Sequence, residues 1–336
     1  MSTPAAMFGP VAVADLQSRT QYEAWLLEAV YDITNRRLAV EDVDELVYPP
    51  SGGPLSHTVF GVGAIDIGDW RPGFLRVGAP LVFVTAFKLL DMLIEWVLAE
   101  NEHAQTYKFV DKIAALKGPV KFPTLVDVRP WLRERLIGLY VELEPLRGTL
   151  IHERHFKSTN GGIKVSSSKR GIVGPVVVIG PDDLQRLALV LVSLLRYLEG
   201  TWTMDEFREK RIRHALDQLS HLHACPSLGQ LEPGFLSVRV YVPQGDSVEC
   251  DIARVRRDVA VRRPNQDVMF ALRVVSVARD GSAAIAYLVS WSELQDPSPT
   301  LKVLTADLAP FAVAPPDGLD LAQLAAEIAN RGAVAP

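Results

Sequence analysis

The chain has 336 residues, 48% of them hydrophobic and 22% charged, the composition of an ordinary folded protein with room for two domains. Its net charge of −5 excludes a molecule that holds nucleic acid through overall charge, so any such function needs a local basic patch. Two cysteines, Cys225 and Cys250, are too few for a disulfide framework, and no basic segment followed by an apolar core opens the chain, which predicts a cytoplasmic protein.

The first 13 residues are small and apolar. Asp15 to Arg37 reads as a helix, with Leu16, Tyr22, Leu26, Val30 and Ile33 on its apolar side. Tyr48 to Pro80 is rich in glycine and proline, with a short strand or two within Thr58 to Ile67. Gly61-Val-Gly63 lacks the third glycine of a dinucleotide loop and reads as turn chemistry. Ala79 to Asn101 is strongly helical. Its charged residues Lys88, Asp91 and Glu95 share one side and interrupt the apolar run Leu81 to Ala99, so it predicts a buried helix and no membrane span. Gln105 to Lys117 is a shorter helix with Phe109, Ile113 and Leu116 inward, and Arg129 to Phe156 a long one. A basic β-hairpin follows within 161–180, carrying Lys164, Lys169 and Arg170. The apolar helix from Pro181 to Leu198 and a helix with Arg208, Lys210, Arg211 and Arg213 complete this region.

After Pro226 the hydrophobic period shortens from about 3.6 to 2. Phe235–Val242, Val248–Val255, Val259–Arg263, Val268–Val277 and Ala283–Trp291 read as strands of a small all-β barrel or sandwich. Alternation places Arg254 and Arg256 on one face and Arg257 on the other. With Arg262 and Arg263 they form a basic run, suited to protecting a strand edge or to tracking phosphates. A terminal helix starts near Asp320. The expected organisation is therefore multidomain α+β: an N-terminal segment over 1–78, a helical bundle over 79–225, a β domain over 230–310 and a tail over 311–336.

Candidate chemistry centres on Leu146-Arg-Gly-Thr-Leu-Ile-His-Glu-Arg-His-Phe156. Leu139, Leu143, Leu146 and Leu150 form an apolar stripe, and Arg147 and His152 point away from it on either side. On an ideal α-helix these two are about 140° apart, with Glu144, Gly148, Ile151 and His155 in the arc between them. A solvated face often carries such residues, so residue types alone do not make this a site. His221, His223 and Cys225 alternate and could chelate zinc, as could His152 with His155, but neither set has an evident fourth ligand.

An apolar helix with Ile94-Glu-Trp96, a short one with Phe109-Val-Asp-Lys-Ile113, and a long one ending in Arg147-Gly-Thr-Leu-Ile-His152, followed by a basic hairpin and another apolar helix, resembles HEPN domains. The hallmark of that family is an Arg with a His four to six residues further on. The resemblance covers about residues 79–223 and implies an up-and-down helical bundle that dimerises. Arg147 and His152 from each copy would then meet in one metal-independent ribonuclease site, with RNA as substrate, no cofactor, and an antitoxin or another protein as a further partner. Asp91, Glu95, Glu144 and His155 would support the pair, and Lys164, Lys169, Arg170, Arg208, Lys210 and Arg211 would hold the RNA backbone. The family commonly has Asn, Asp or His directly after the Arg, where this chain has Gly148. Other members have lost activity and serve as scaffolds or nucleotide binders.

Overall fold

The computed structural model describes residues 7–33, 43–49, 56–60, 70–103, 108–153, 156–159, 161–169, 172–294 and 300–331. The chain divides into two compact units. One comprises Met1–Val40 with Gly63–Gln230, the other Glu41–Val62 with Leu231–Pro336. The segment 1–78, expected to stand apart, is thus shared between them. Among the described residues no helix is long and apolar enough to cross a membrane.

The first unit is a helical bundle with a small sheet. Helix α1 (Pro10–Ile33) contributes Leu16, Leu27, Val30 and Tyr31 to its core. Helix α2 spans Trp70–Glu100, starting nine residues before the periodicity predicts. Its apolar residues surround it almost completely, because α1, α3 (Phe109–Leu116), α5 (Pro130–Gly148) and α6 (Pro181–Leu198) all pack against it. A single turn, α4 (Thr124–Asp127), leads into α5, and α7 (Glu206–Gln218) closes the bundle against α6. The side chain of Asp205 caps α7 by accepting the Arg208 N–H at 2.8 Å.

The long helix expected from Arg129 to Phe156 ends early. Pro145 has no N–H to give the ladder and Gly148 is a poor helix former, so the α-helix stops at Gly148. A π-turn follows over Thr149–Glu153. The chain then forms a third strand, β3 (Phe156–Thr159), beside the expected hairpin of β4 (Gly162–Lys169) and β5 (Ile172–Ile179). Phe156, Val165 and Val177 are in register and face the bundle core. Lys157, Lys164 and Val178 are in register on the outer side.

The second unit is not the all-β barrel or sandwich that the alternation predicts. Its main sheet is open, with strands in the order β11-β9-β8-β6-β1-β2. These are β1 (Val43–Val47), β2 (Ser56–Phe60), β6 (Pro233–Pro243), β8 (Asp267–Val277), β9 (Ala284–Val289) and β11 (Ala312–Val313). Strands β6 and β8 run parallel along their whole length, from Pro233↔Asp267 to Pro243↔Val277. Parallel neighbours cannot be joined by a hairpin and need a crossover, usually a helix. That crossover contains β7 (Ser247–Asp251), paired with β10 (Thr300–Leu304), and then α8 (Ile252–Arg262). The strand expected over Val248–Val255 ends at Asp251, whose carboxylate caps α8, and the strand expected over Val259–Arg263 is helical. Ile252, Val255 and Val259 recur at helical spacing and enter the core beneath the sheet, which is what the alternating reading missed. On the opposite face, α9 (Leu321–Arg331), the terminal helix expected from near Asp320, packs Leu324, Ala325 and Ile328 against Tyr241, Val275 and Val277 and so belongs to this unit.

Candidate functional site

Three helices of the first unit bring charged groups together at one place. Asp91 and Glu95 lie one turn apart on α2, Lys112 lies on α3, and Tyr140, Glu144 and Arg147 follow one face of α5. Lys112 is only 2% exposed. Its ammonium donates to Asp91 at 2.8 Å and to Glu95 at 2.6 Å. The Tyr140 hydroxyl donates to the same oxygen of Asp91 at 2.6 Å. Burial pushes the Tyr140 hydroxyl well above its ordinary pKa, and the hydrogen bond to Asp91 and the negative charges of Asp91, Glu95 and Glu144 push it further. It is therefore a fixed donor at any physiological pH.

Phe109 forms the partition beside this cluster. Its ring meets those of Phe87 and Tyr140 at 5.9 and 6.2 Å. The Lys112 ammonium sits 4.8 Å from its centroid and the Arg147 guanidinium 5.3 Å from it. Arg147 is half-buried at the end of α5, next to Gly148, where an added Cβ would meet nothing within 4 Å. The backbone beside Arg147 is thus open to a close approach.

The π-turn changes the relation between Arg147 and His152. Its hydrogen bonds span five residues where those of an α-helix span four, so it winds less per residue. Positions five apart therefore come closer to one face than the ideal α-helix allows. The side chain of His152 and the whole of His155 lie outside the described residues, as do the side chain of Lys169 and all of Arg170.

The remaining expected residues are distributed as follows. Asp91 and Glu95 are engaged by Lys112, and Glu144 lies one turn beyond Tyr140. Lys164 is exposed on the outer face of β4, directly across from Lys157 on β3. Arg208 is held by Asp205 at 2.6 Å and Lys210 by Glu206 at 3.1 Å, Arg211 is not free either, and Arg213 lies over the Trp131 ring. Two members of the basic cluster on α7, Arg208 and Lys210, are thus paired with acids of their own helix and its cap. Lys112, Tyr140 and Phe109 were not among the expected site residues. The signal was present, since Lys112 falls inside the apolar stripe Phe109, Ile113, Leu116, where a lysine must find acids.

The alternating His221, His223 and Cys225 do not converge. His221 contacts the Gln218 carbonyl at 3.1 Å and Asp183 at 3.2 Å. His223 accepts the Cys225 N–H at Nδ1, and its Nε2 lies 3.3 Å from both the Leu216 carbonyl and the Arg135 guanidinium. Burial lowers its pKa, and the Arg135 guanidinium beside it lowers it further. The thiol of Cys225 points to the Glu134 carbonyl. Among the described residues no group of three His, Cys, Asp or Glu is placed to hold a metal ion. This region instead forms a second buried polar cluster. Arg135, 2% exposed, lies 3.7 Å from Asp217 and donates to the carbonyls of Leu216 and Pro226. Asp217 accepts from Ser227 and from the backbone N–H groups of Leu228 and Gln230. Burial raises its pKa, but these donors and Arg135 outweigh burial and hold the carboxyl below its ordinary range.

No family model, no curated protein and no solved structure matches this chain.

Proposed function

We propose that the helical unit is a HEPN-like ribonuclease whose site is completed by a second copy of the chain. The observation that supports this reading is the π-turn after Gly148, which winds less per residue than an α-helix and so separates positions 147 and 152 by less than the roughly 140° of an ideal α-helix, beside a backbone without a side chain. In the reaction, a ribose 2′-oxygen attacks the adjacent phosphorus. The bond to the 5′-oxygen breaks, leaving a 2′,3′-cyclic phosphate and a free 5′-hydroxyl. One imidazole takes the 2′ proton and another protonates the leaving oxygen, a task suited to histidine because its ordinary pKa is near 6.5. Two histidines at one site require His152 from both copies. Arg147 supplies fixed positive charge to the phosphorane oxygens. The facing lysines 157 and 164 repel each other across the hairpin, a cost that an RNA phosphate between them would relieve.

The test is cleavage of single-stranded RNA by the purified chain in EDTA. Arg147→Ala and His152→Ala should each slow cleavage by roughly a hundredfold or more while leaving the fold and the dimer intact. Cleavage by the double variant at the wild-type rate overturns the proposal.

A second reading is favoured by the commitment of Asp91 and Glu95 to Lys112 and of Arg147 to the Phe109 ring. Under it the bundle is a catalytically silent scaffold for a nucleotide or protein partner. Expression of the wild-type chain without any antitoxin should arrest growth under the first reading and be harmless under the second.

A further inference from the structure

Helix α1 has two apolar sides. One puts Leu16, Leu27 and Tyr31 into the bundle core. The other faces solvent. At about 100° per residue, Val11, Ala14, Tyr22, Trp25 and Ala29 all fall within about 40° of Ser18, on the side opposite Leu27. Val11 is 80% exposed, Tyr22 62% and Trp25 60%, and Ala14 and Ser18 are exposed as well. No charged residue falls within that arc of the helix. Tryptophan and tyrosine are enriched at the centres of protein interfaces, and here they stand three residues apart on one uncharged strip.

The strip is complementary to itself. When a second α1 lies antiparallel across it with a two-fold axis at Ser18, positions equally distant from Ser18 meet. Trp25 then faces the copy's Val11, Tyr22 faces the copy's Ala14, and Ser18 faces Ser18. Each aromatic ring meets a smaller side chain. A parallel pairing would instead set Trp25 on Trp25 and Tyr22 on Tyr22 and hold the helices apart. The flanks agree with the antiparallel arrangement. Asp15 and Arg19, paired with each other at 2.9 Å, border the strip on one side. The two-fold brings this flank onto itself, with each Asp15 about 3 Å along the axis from the copy's Arg19. The four groups form a neutral row, two guanidiniums between two carboxylates. The other flank near the centre is Gln17 and Gln21, uncharged and exposed.

The surface suffices for a modest dimer. Tyr22 and Trp25 leave roughly 250 Å² of aromatic surface in water. With Val11 and the small residues, pairing two copies buries roughly 1,000 Å² in all, the lower limit for a biological interface. We infer that the exposed face of α1 is a docking surface for α1 of a second copy of this chain, antiparallel, with Ser18 on the two-fold axis. The inference does not rest on the ribonuclease reading, because α1 carries none of the residues assigned to that site.

Sedimentation velocity of the full-length chain from about 1 to 100 µM tests it, with half of the chain paired near about 10 µM. Trp25→Glu should halve the particle mass at the upper concentration. It should leave the unfolding midpoint of the dilute protein unchanged, because the side chain is exposed in the monomer. Register is read by cross-linking in a Cys225→Ser background, which leaves the buried Cys250, with diamide as the oxidant. Ser18→Cys should give a disulfide-linked dimer, because facing helices with axes about 8–10 Å apart bring those Cα atoms within disulfide reach. Ala14→Cys should not, because its two copies lie about 12 Å apart along the axis. A monomer throughout the range, a mass that Trp25→Glu leaves unchanged, no linkage through Ser18→Cys, or equal linkage through Ala14→Cys each overturns the inference. A dimer indifferent to Trp25→Glu is held elsewhere and leaves the ribonuclease reading standing.

Discussion

The two units bury different kinds of side chain. Among the described residues, the helical unit buries Glu23, Lys112, Arg135, Asp217 and His223, whereas the sheet unit buries no charged group and only Ser237 and Ser276 among polar ones. The sheet unit relies on long parallel pairing and two apolar layers, so its register is set by backbone hydrogen bonds and by which residues face each layer. In the helical unit, slippage of α3 along α2 is penalised because Lys112 would leave Asp91 and Glu95 behind. The difference teaches that ion pairs inside a bundle act more as locators than as sources of stability, since their attraction is largely offset by desolvation.

The largest break in this contrast comes from removing one partner and leaving the others. Lys112→Met should destabilise the helical unit by about 2 to 3 kcal/mol, less than a fully buried pair would, because Glu95 is 39% exposed. Hydrogen exchange read by mass spectrometry should show faster exchange in α2, α3 and α5, with β6 and β8 unchanged. Equal acceleration in both units would end the distinction.

Acid should sharpen the contrast next. His223 has a folded pKa below its unfolded value, so the stability linked to its neutral form is present above about pH 6.5 and is lost as pH falls toward the folded value. Asp217 is also lowered. Its contribution is present above about pH 4 and is lost as pH falls through the folded value. Both lie in the helical unit. Its exchange protection should therefore fall in two stages on acidification, and His223→Gln should remove the upper stage. Among the described residues of the sheet unit one acid is lowered, Asp280, which is bound by its neighbour Ser282 at the surface and should add little.

The smallest effect is expected at Gly148. Nothing lies near an added Cβ there, so Gly148→Ala should raise the stability of the helical unit by up to about 1 kcal/mol through backbone entropy. Thermal unfolding checks this. A loss of stability would show that the backbone at Gly148 is less accommodating than its open surroundings indicate.

The bundle was legible because each helix carries its own periodicity. Leu89, Leu93 and Val97 on α2 and Leu184, Leu187, Leu191 and Leu195 on α6 announce their elements without help from the rest of the chain. The sheet was less so. Ile252, Val255 and Val259 give a helical stripe, but Val259 and Val261 also alternate with Ala260 and Arg262, and two valid periods compete over one short segment. The pairing of Leu46 with Val238 has no local signature, because parallel partners from opposite ends of a chain are chosen only once both exist. At the candidate site, the sequence supplied Arg147, Asp91 and Glu95 as candidates, but which cation the acids accept depends on how three helices meet.

One consequence of the chain's route concerns synthesis. The strand β1 is laid down after α1 but before the rest of the bundle, and its parallel neighbour β6 after all of it, so the whole of Gly63–Gln230 is translated in between. At ordinary ribosomal speeds that interval is roughly ten to thirty seconds. During that time the first hairpin has no neighbour on the β6 side, so the nascent sheet must wait with an unfilled edge until the later half emerges.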